Sequence, residues 1–347
     1  MPLKFDSLAA LLTHGFDTVI DVRSPAEFAE DHVPGAINLP ALDNAQRAEV
    51  GTMYKQVSPF GARKIGAGMV VRNVADHLDG PLAGKDGSWR PLVYCWRGGQ
   101  RSGVFRTLLS EIGWRAETVK GGYQTYRRLV ARMLYDDPLP YRLVLLDGNT
   151  GTAKTALLPL LQARGMQMLD LEGLACHRGS LLGAMPGGQP TQKGFETGLA
   201  QALVALDPAR PVVVEAESSK IGRITLPPAL WQAMLAAPRI VMEVPLNARA
   251  TYLAEAYHDV IADADGLAER LAPLRRVRGH AVVDRWIALS RAGDLRALAA
   301  ALVTEHYDPA YAKSRRIDTR EMLGTVAVDR LDADGLARAA DAVVGLL

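Results

Sequence analysis

Short apolar runs recur along the chain, and stretches with apolar residues at helical spacing lie between them. The runs occupy residues 18–22, 92–94, 141–146, 211–217 and 239–244. Continuous apolar runs are typical of strands that are buried on both faces, and strands that alternate with helices form parallel sheets. The pattern predicts an α/β protein. Its second half is expected to be a three-layer sheet domain, with a mainly helical part after residue 247.

A break in this pattern divides the chain. At 347 residues the chain is too long for one ordinary core, so two domains are expected. The sequence DDPLP at residues 136–140 interrupts a helical stretch, because proline lacks a backbone donor and cannot continue a helix. We therefore expect one domain at residues 1–137 and a second at residues 138–347.

The loop after the strand at residues 92–94 is the strongest candidate for chemistry in the first domain. Cys95 ends this strand, and a helical pattern follows the loop. Backbone N–H groups at a helix N-terminus bind anions and favour a thiolate over a thiol. Arg101 adds a planar, always-charged group that suits an oxyanion. A nucleophilic Cys95 is therefore predicted, and an inert buried cysteine is the alternative. The other residues of this predicted anion loop are Trp96, Arg97, Gly98, Gly99, Gln100 and Ser102.

A second anion-binding loop follows the strand at residues 141–146. It matches the phosphate-binding pattern G-x4-G-K-[ST], except that Ala153 replaces the last glycine. In this pattern backbone amides hold a diphosphate, Lys154 neutralises it and Thr155 can hold Mg²⁺. A glycine-rich turn without a ligand is the alternative. The acids at residues 215–217 are equally compatible with a magnesium site and with surface charge. The predicted diphosphate-binding residues are Gly148, Asn149, Thr150, Gly151, Thr152, Ala153, Lys154 and Thr155.

Motifs in the first domain resemble those of rhodanese-like domains. The string D-x-R-x3-E-F-x3-H-V-x-G-A-x-N begins at Asp21, and G-G-Y occupies residues 121–123. With the Cys95 loop, the resemblance covers about residues 1–135. Five residues separate Cys95 from Arg101, one more than is usual in sulfur-transferring rhodaneses and the spacing of tyrosine-phosphatase-like loops. The larger ring of amides suits a tetrahedral, phosphate-like donor.

The two domains in this order resemble the tRNA 2-selenouridine synthase family over nearly the whole chain. Further motifs that carry this resemblance are DLEGLA from Asp170, HRGS from His177 and HYDP from His306. The resemblance implies that Cys95 is a selenium-carrying nucleophile that takes selenium from selenophosphate. It implies that selenium replaces the 2-thio sulfur of the wobble uridine, position 34, in tRNA. It also implies an S-geranyl-2-thiouridine intermediate made with geranyl diphosphate, which we assign to the loop at residues 148–155.

The charge distribution indicates where a nucleic-acid partner could bind. The formal net charge of +2 does not by itself indicate nucleic acid, so any such site must be a local patch. Six arginines and one acid lie between Arg270 and Arg291. Clustered arginines suit nucleic-acid phosphates, and a solvated helix face is the alternative. The candidates for tRNA contact are Arg275, Arg276 and Arg278.

Two cysteines, Cys95 and Cys176, are too few for a disulfide framework and favour a reducing cytoplasm. No run approaches the roughly 20 apolar residues of a membrane span, so no membrane partner is expected. The pair at Cys176 and His177 has no companions at metal-ligand spacing, so no metal site is assigned. No tightly bound cofactor is expected; selenophosphate and geranyl diphosphate are treated as co-substrates, with Mg²⁺ as a possible addition.

Two other functions stay open at this point. The Cys95 loop is compatible with a rhodanese-fold phosphatase or arsenate reductase, and assays on phosphate esters and arsenate would identify one. The second open function is that of an ATP-regulated RNA-binding protein with a vestigial first domain, and detection of selenium on Cys95 would exclude it.

Overall fold

The computed structural model describes residues 2–97, 99–257, 264–315 and 319–347. The chain forms two compact units. The first unit comprises Met1–Asp137 together with Pro190–Ala205, and the second comprises Pro138–Gln189 together with Leu206–Leu347. The segment Pro190–Ala205 packs with the first unit although it is surrounded in sequence by the second. A single boundary between residues 137 and 138 does not describe this segment.

A parallel four-stranded sheet forms the centre of the first unit, in the order β2-β1-β3-β4. Its central strand β3 is buried along its whole length, as a continuous apolar run predicts. The strands are β1 Thr18–Asp21, β2 Ile37–Asn38, β3 Pro91–Tyr94 and β4 Glu117–Thr118. The helices are Leu8–Leu12, Pro25–Glu30, Asn44–Gln56, Pro59–Asp79, Gln100–Ile112, Gly122–Ala131, the π-helical Arg132–Asp136, and Gln192–Val204.

A parallel five-stranded sheet forms the centre of the second unit, in the order β11-β10-β5-β7-β6, and β8 pairs with β9 in a small antiparallel ladder. The strands are β5 Leu143–Gly148, β6 Gln167–Leu169, β7 Val212–Glu215, β8 Lys220–Ile221, β9 Ile224–Thr225, β10 Arg239–Glu243 and β11 Met322–Ala327. The α-helices are Lys154–Ala163, Leu171–Ala175, Pro228–Ala236, Leu246–Ala256, Ala264–Leu271, Arg275–Arg278, His280–Arg291, Leu295–Leu302, Asp308–Arg315 and Ala333–Val344. The short 3₁₀ helix is Ala272–Leu274, and Val303–Tyr307 is π-helical.

The predicted α/β architecture with parallel sheets is confirmed, and the mainly helical C-terminal part contains one additional strand. β11 returns to the sheet and pairs in parallel with β10. Only Val326 in this strand is buried, in contrast to β3, β5 and β7, which are buried along their whole length. An edge strand with little burial gives a weak sequence signal.

Two hydrophobic clusters stabilise the second unit. One lies between the sheet and its flanking helices and includes Leu146, Leu157 and Val213. The other lies among the helices after residue 264 and includes the fully buried Trp286. Across the described residues, no helix combines the length and the apolar character that crossing a membrane requires.

Candidate active sites

Cys95 lies where β3 ends, five residues before the helix Gln100–Ile112 begins. The residue is buried, with 4% of its surface exposed. Its Sγ atom is 3.2 Å from Ser102 Oγ. The Cys95 carbonyl accepts a hydrogen bond from the Tyr123 N–H at 2.8 Å, and the Trp96 carbonyl accepts one from the Gln124 N–H at 3.0 Å. The helix that begins with the G-G-Y motif therefore holds the start of the loop.

The surroundings of the sulfur favour the thiolate. Burial alone would raise the pKa of the Cys95 thiol. The hydroxyl and N–H of Ser102, the N–H of Gly99 and the charge of Arg101 outweigh that effect and hold this pKa below its ordinary value. A lowered pKa makes a cysteine a better nucleophile at neutral pH, provided that its partner can reach it.

Arg101 is held beside the loop by an acid of the same unit. Its Nη1 donates a hydrogen bond to Glu27 Oε2 at 3.0 Å, and the same carboxylate accepts one from the Ser24 N–H at 3.1 Å. Burial would raise the pKa of Glu27, but the hydrogen bond and charge of Arg101 lower it. The arginine is thus oriented by an ionised partner before any anion is present.

The remaining residues of the predicted anion loop are mostly open to solvent. Arg97, Gly99 and Gln100 are exposed, and the Trp96 ring lies 5.3 Å from the Tyr123 ring. A Cβ built on Gly99 would meet nothing within 4 Å, and the residue has φ −107°, so neither packing nor a positive φ requires glycine there. The absence of a side chain leaves room for a ligand. Gly98 lies outside the described residues.

Asp21 and Arg23 of the first-domain signature form a buried structural pair. Arg23 Nη2 and Nε donate to Asp21 Oδ2 at 2.6 and 2.9 Å, and the guanidinium lies 3.9 Å from the centre of the Tyr123 ring. The Val22 N–H donates to the Tyr94 carbonyl at 3.0 Å. This pair therefore stabilises the carboxyl ends of β1 and β3 beside Cys95, and its charges are already compensated.

The second loop connects β5 to the helix Lys154–Ala163, which is the strand-to-helix context that the phosphate-binding motif requires. A Cβ on Gly148 would lie 2.5 Å from Thr152 Oγ1, so only glycine fits that position. Ala153, with φ 58°, has the left-handed conformation that a glycine would adopt more readily. The substitution in the motif thus keeps the shape of the loop at some conformational cost. Lys154 Nζ donates to the Gly148 carbonyl at 2.9 Å.

A cavity of about 480 Å³ opens beside this loop and brings three distant motifs together. Glu172 belongs to DLEGLA, Arg178 and Ser180 belong to HRGS, and Tyr307 belongs to HYDP. All four residues line the cavity with the loop at residues 150–156. Sequence reasoning used these motifs only as marks of resemblance. Their shared location adds a cation, Arg178, and a set of tyrosine rings that spacing along the chain could not reveal.

The HYDP motif also supports the loop from behind. Asp308 accepts hydrogen bonds from Asn149 Nδ2 at 2.9 Å and from Arg249 Nη2 at 2.7 Å. Arg249 Nε donates to the Thr150 carbonyl at 2.9 Å. The backbone of the loop is therefore braced by a buried arginine from the helix Leu246–Ala256.

Carboxylates surround the hydroxyl of Thr155. Its Oγ1 lies 2.7 Å from Glu172 Oε2 and 3.2 Å from Glu215 Oε2. Burial and the neighbouring negative charge of Glu172 raise the pKa of Glu215 to about 9 and that of Glu217 to about 7. Glu215 is fully buried at the end of β7, which does not fit the alternative of simple surface charge.

The donor set fits Mg²⁺ bound with a phosphate. Within the part of the chain that is described, no group of three or more His, Cys, Asp or Glu side chains forms a metal site. Mg²⁺ commonly takes only one or two protein carboxylates and completes its shell with water and substrate phosphates. Thr155 and Glu215 supply such a partial set, and a cation there would offset the crowding of buried carboxylates.

Two of the three arginines that were predicted to contact tRNA form hydrogen bonds within the protein. Arg275 Nη2 donates to Asp284 Oδ1 at 2.6 Å, and Arg278 Nη2 donates to the His306 carbonyl at 2.9 Å. Arg276 is exposed. The short helix Arg275–Arg278 therefore presents a smaller basic surface than the sequence suggests.

The fold and the two loops define a rhodanese-like domain joined to a P-loop domain. Residues 4–129 match the family model described as a rhodanese-like domain, and residues 141–269 match the model described as the tRNA 2-selenouridine synthase AAA domain. The chain belongs to the tRNA 2-selenouridine synthase family.

Similar proteins extend over most of the chain. It is 35% identical to the tRNA 2-selenouridine synthase of Aeromonas salmonicida (strain A449), covering 84% of this chain and 86% of that protein. It is 33% identical to the protein of that name from Shewanella loihica, with the same coverage. A rhodanese-related crystal structure from Thermoplasma volcanium is 20% identical, covers 37% of this chain and 90% of its own, and has a TM-score of 0.23. That superposition is too partial to support an argument.

Proposed function

We propose that this protein is a tRNA 2-selenouridine synthase that replaces the 2-thio sulfur of uridine 34 with selenium from selenophosphate, by way of S-geranylation with geranyl diphosphate. The observation that carries the proposal is the presence of two different anion loops in a chain of this family. One holds a thiol with a lowered pKa, and the other is a lysine-bearing phosphate loop beside a large cavity. A single transfer reaction needs one such loop, whereas two successive transfers from anionic donors use both.

Geranylation is assigned to the second unit. The 2-thio sulfur of the tRNA attacks C1 of geranyl diphosphate, so that a C–S bond forms and the C–O bond breaks. The diphosphate leaves with the bonding electron pair, and the uridine N3 proton passes to solvent. Lys154 and Arg178 line the cavity and supply positive charge to the leaving group. Thr155 and Glu215 would hold Mg²⁺, which would neutralise further diphosphate charge.

Selenium uptake is assigned to Cys95. Its thiolate attacks selenium of selenophosphate, an S–Se bond forms, and the P–Se bond breaks with its electron pair left on phosphorus. Phosphite, which takes up a proton from solvent, is the leaving group. The terminal selenium then attacks C2 of the modified uridine and displaces geranyl thiol. A cellular thiol attacks the Cys95 sulfur, so that a mixed disulfide forms, the S–Se bond breaks and the 2-selenouridine leaves. A second thiol then cleaves that disulfide and restores the Cys95 thiol. The prenyl group matters because it converts a poor sulfur leaving group into a thiol.

Nucleoside mass spectrometry of tRNA carrying 2-thiouridine, incubated with the protein, selenophosphate, geranyl diphosphate and a thiol, tests the proposal. We expect S-geranyl-2-thiouridine without selenophosphate and 2-selenouridine when both donors are present. Peptide mass spectrometry should show selenium on Cys95 before tRNA is added. A phosphoryl group on Cys95 in place of selenium would contradict the selenium-carrying role. Absence of both modified nucleosides would contradict the proposed function as a whole.

A further inference from the structure

A small apolar pocket adjoins the cavity of about 480 Å³ beside the loop at residues 150–156, which we call the phosphate cavity. Its volume is about 40 Å³. Leu267 and Leu298 at its wall are almost completely buried, with 1% and 2% of their surfaces exposed. We call it the leucine pocket. It is lined by Thr150, Leu182, Leu253, Tyr257, Leu267, Leu295, Leu298, Ala299, Leu302 and Tyr307.

The leucine pocket and the phosphate cavity share part of their walls. Thr150, Leu253, Tyr257 and Tyr307 line both spaces. The Tyr257 hydroxyl lies 2.9 Å from Ser180 Oγ, and the Tyr307 hydroxyl also bonds Ser180. The polar ends of both tyrosines are therefore satisfied at Ser180, which leaves their rings to line an apolar route away from the phosphate loop.

We infer that the leucine pocket binds the terminal isoprene carbons of the prenyl diphosphate whose diphosphate group lies in the loop at residues 148–155. This inference rests on the proposed function. By this inference, the pocket selects the prenyl diphosphate by the length of its hydrocarbon chain. A ligand with a charged head and a hydrocarbon tail matches an anion loop that continues into an apolar pocket.

The lining of the pocket favours a prenyl chain over a nucleotide. A purine or ribose brings donors and acceptors that need partners when they are buried, and leaving them unpaired is costly. Leucine side chains offer none. A hydrocarbon tail loses no hydrogen bonds on entering the pocket and gains affinity by leaving water.

The size of the pocket limits the length of the chain. A cavity of roughly 10–15 Å³ holds one water molecule, so the pocket of about 40 Å³ accepts only a few heavy atoms. That space suits the branched end of one isoprene unit. The remainder of a ten-carbon geranyl chain would lie along Leu253 and the tyrosine rings, and a further isoprene unit would find no room.

The test compares binding of geranyl diphosphate, farnesyl diphosphate, inorganic diphosphate and ATP by calorimetry in the full-length protein. Ala299→Leu fills the pocket, and Ala300→Leu on the same helix is the matched control, because Ala300 does not line it. We expect Ala299→Leu to weaken geranyl diphosphate binding about tenfold and to leave inorganic diphosphate binding unchanged. Ala300→Leu should leave both affinities unchanged. Circular dichroism and thermal unfolding check that each variant is folded.

A second variant keeps the test decisive if Ala299→Leu does not fold. Leu295 is only half-buried at the start of its helix, so Leu295→Ala enlarges the pocket at a smaller cost to stability than a fully buried leucine would. We expect the affinity ratio of farnesyl to geranyl diphosphate to rise about tenfold. An unchanged ratio would overturn the inference, and so would an equal loss of inorganic diphosphate or ATP binding in Ala299→Leu.

Failure of this inference can be distinguished from failure of the proposed function. If geranyl diphosphate binds the parent protein and Lys154→Ala abolishes that binding, the assignment of the diphosphate holds whatever the pocket variants do. In that case, wild-type affinity in Ala299→Leu would overturn the pocket alone. If the parent protein does not bind geranyl diphosphate, both are wrong.

Discussion

The hydroxyl of Ser102 contributes directly to lowering the pKa of the Cys95 thiol. It lies 3.2 Å from the sulfur on the first turn of the following helix. Together with two backbone N–H groups and Arg101, it offsets the burial that would otherwise raise the pKa of the thiol. The Cys-x5-Arg-Ser spacing therefore positions a hydroxyl as well as a cation near the sulfur, and both are in place without substrate.

Ser102→Ala should shift the titration of Cys95 to higher pH. Losing the hydroxyl removes a hydrogen bond to the thiolate, so the pKa rises and less thiolate is present at neutral pH. The measurement is thiolate ultraviolet absorbance against pH in a Cys176→Ser background, with a Cys95→Ser protein as the blank.

Thr107→Ala is the matched control for this prediction. It removes a hydroxyl from the same helix that donates to the Gly103 carbonyl at 3.0 Å and does not contact the sulfur. The Thr107 variant should titrate like the parent. A midpoint in Ser102→Ala equal to or below that of the parent would show that the backbone and Arg101 alone control the thiol.

Ala153→Gly should stabilise the protein by about 0.5–1 kcal/mol. A left-handed conformation costs an ordinary residue roughly 1–2 kcal/mol, while glycine adds roughly 0.4–1 kcal/mol of unfolded-state entropy to be lost on folding. At φ 58° the first effect is the larger one. Equilibrium unfolding in urea measures the change.

Gly151→Ala is the comparison variant, and its effect on stability should have the opposite sign. Its φ is +84°, and a Cβ would lie 2.8 Å from Leu253 Cδ1, so this substitution should destabilise the protein. A decrease in the unfolding free energy of Ala153→Gly would mean that the methyl group of Ala153 contributes packing that outweighs its strained backbone.

At the scale of elements, the sequence predicted those strands that are buried along their whole length. The main strands of both sheets stand out as apolar runs because both of their faces are covered. β11 does not stand out, since five of its six residues are at least partly exposed. The helix Gln192–Val204 was not expected in the first unit, because its contacts there depend on long-range pairs such as Thr197 Oγ1 with Asp31 Oδ1 at 2.6 Å.

The same contrast explains how much of the candidate sites could be predicted. Cys95, Arg101 and Lys154 belong to short contiguous motifs whose chemistry depends on local backbone shape. Arg178 and Tyr307 reach the phosphate cavity only through the tertiary fold. The arginine cluster has the same limit, because a count of charges along a helix does not show that Arg275 already pairs with Asp284.

Arg276→Ala should reduce the salt dependence of tRNA binding more than Arg275→Ala does. Arg276 is exposed, whereas Arg275 donates two hydrogen bonds to Asp284 Oδ1 at 2.6 and 3.0 Å. Loss of one phosphate contact lowers the log–log slope by roughly 0.7–0.9. Filter binding across a salt series measures the slope.

The result for Arg275→Ala serves as the matched comparison, since the two residues are neighbours on one short helix. Replacing all three arginines should then give little more than Arg276→Ala alone, unless the loss of Arg278 disturbs His306 and the cavity wall beside it. A slope in Arg276→Ala equal to that of the parent would identify the cluster as a solvated face.

At the scale of the whole molecule, each anion loop is complete within its own unit. Cys95, Ser102, Arg101 and Glu27 all belong to the first unit. Lys154 and the residues that line its cavity all belong to the second. Under the proposed function, one unit supplies the nucleophile and the other supplies the leaving-group site, and we expect a substitution in one loop to leave the local structure of the other intact.

The two half-reactions should consequently separate by mutation. Cys95→Ser should produce no 2-selenouridine and still form S-geranyl-2-thiouridine, because serine is poorly ionised and forms no stable selenium carrier, whereas prenyl transfer needs only bound tRNA and a held diphosphate. Arg101→Ala should show the same separation, with residual selenation if selenophosphate still enters the loop. Lys154→Ala should fail at geranylation and still convert pre-geranylated tRNA to the selenium product. Mass spectrometry of digested tRNA measures every product, with tRNA affinity and thermal unfolding as controls for each variant.

Selenation by Cys95→Ser at the parent rate would refute the role of Cys95. Loss of geranylation in that folded, tRNA-binding variant would instead mean that both transfers depend on the cysteine loop, and the assignment of one half-reaction to each unit would be wrong.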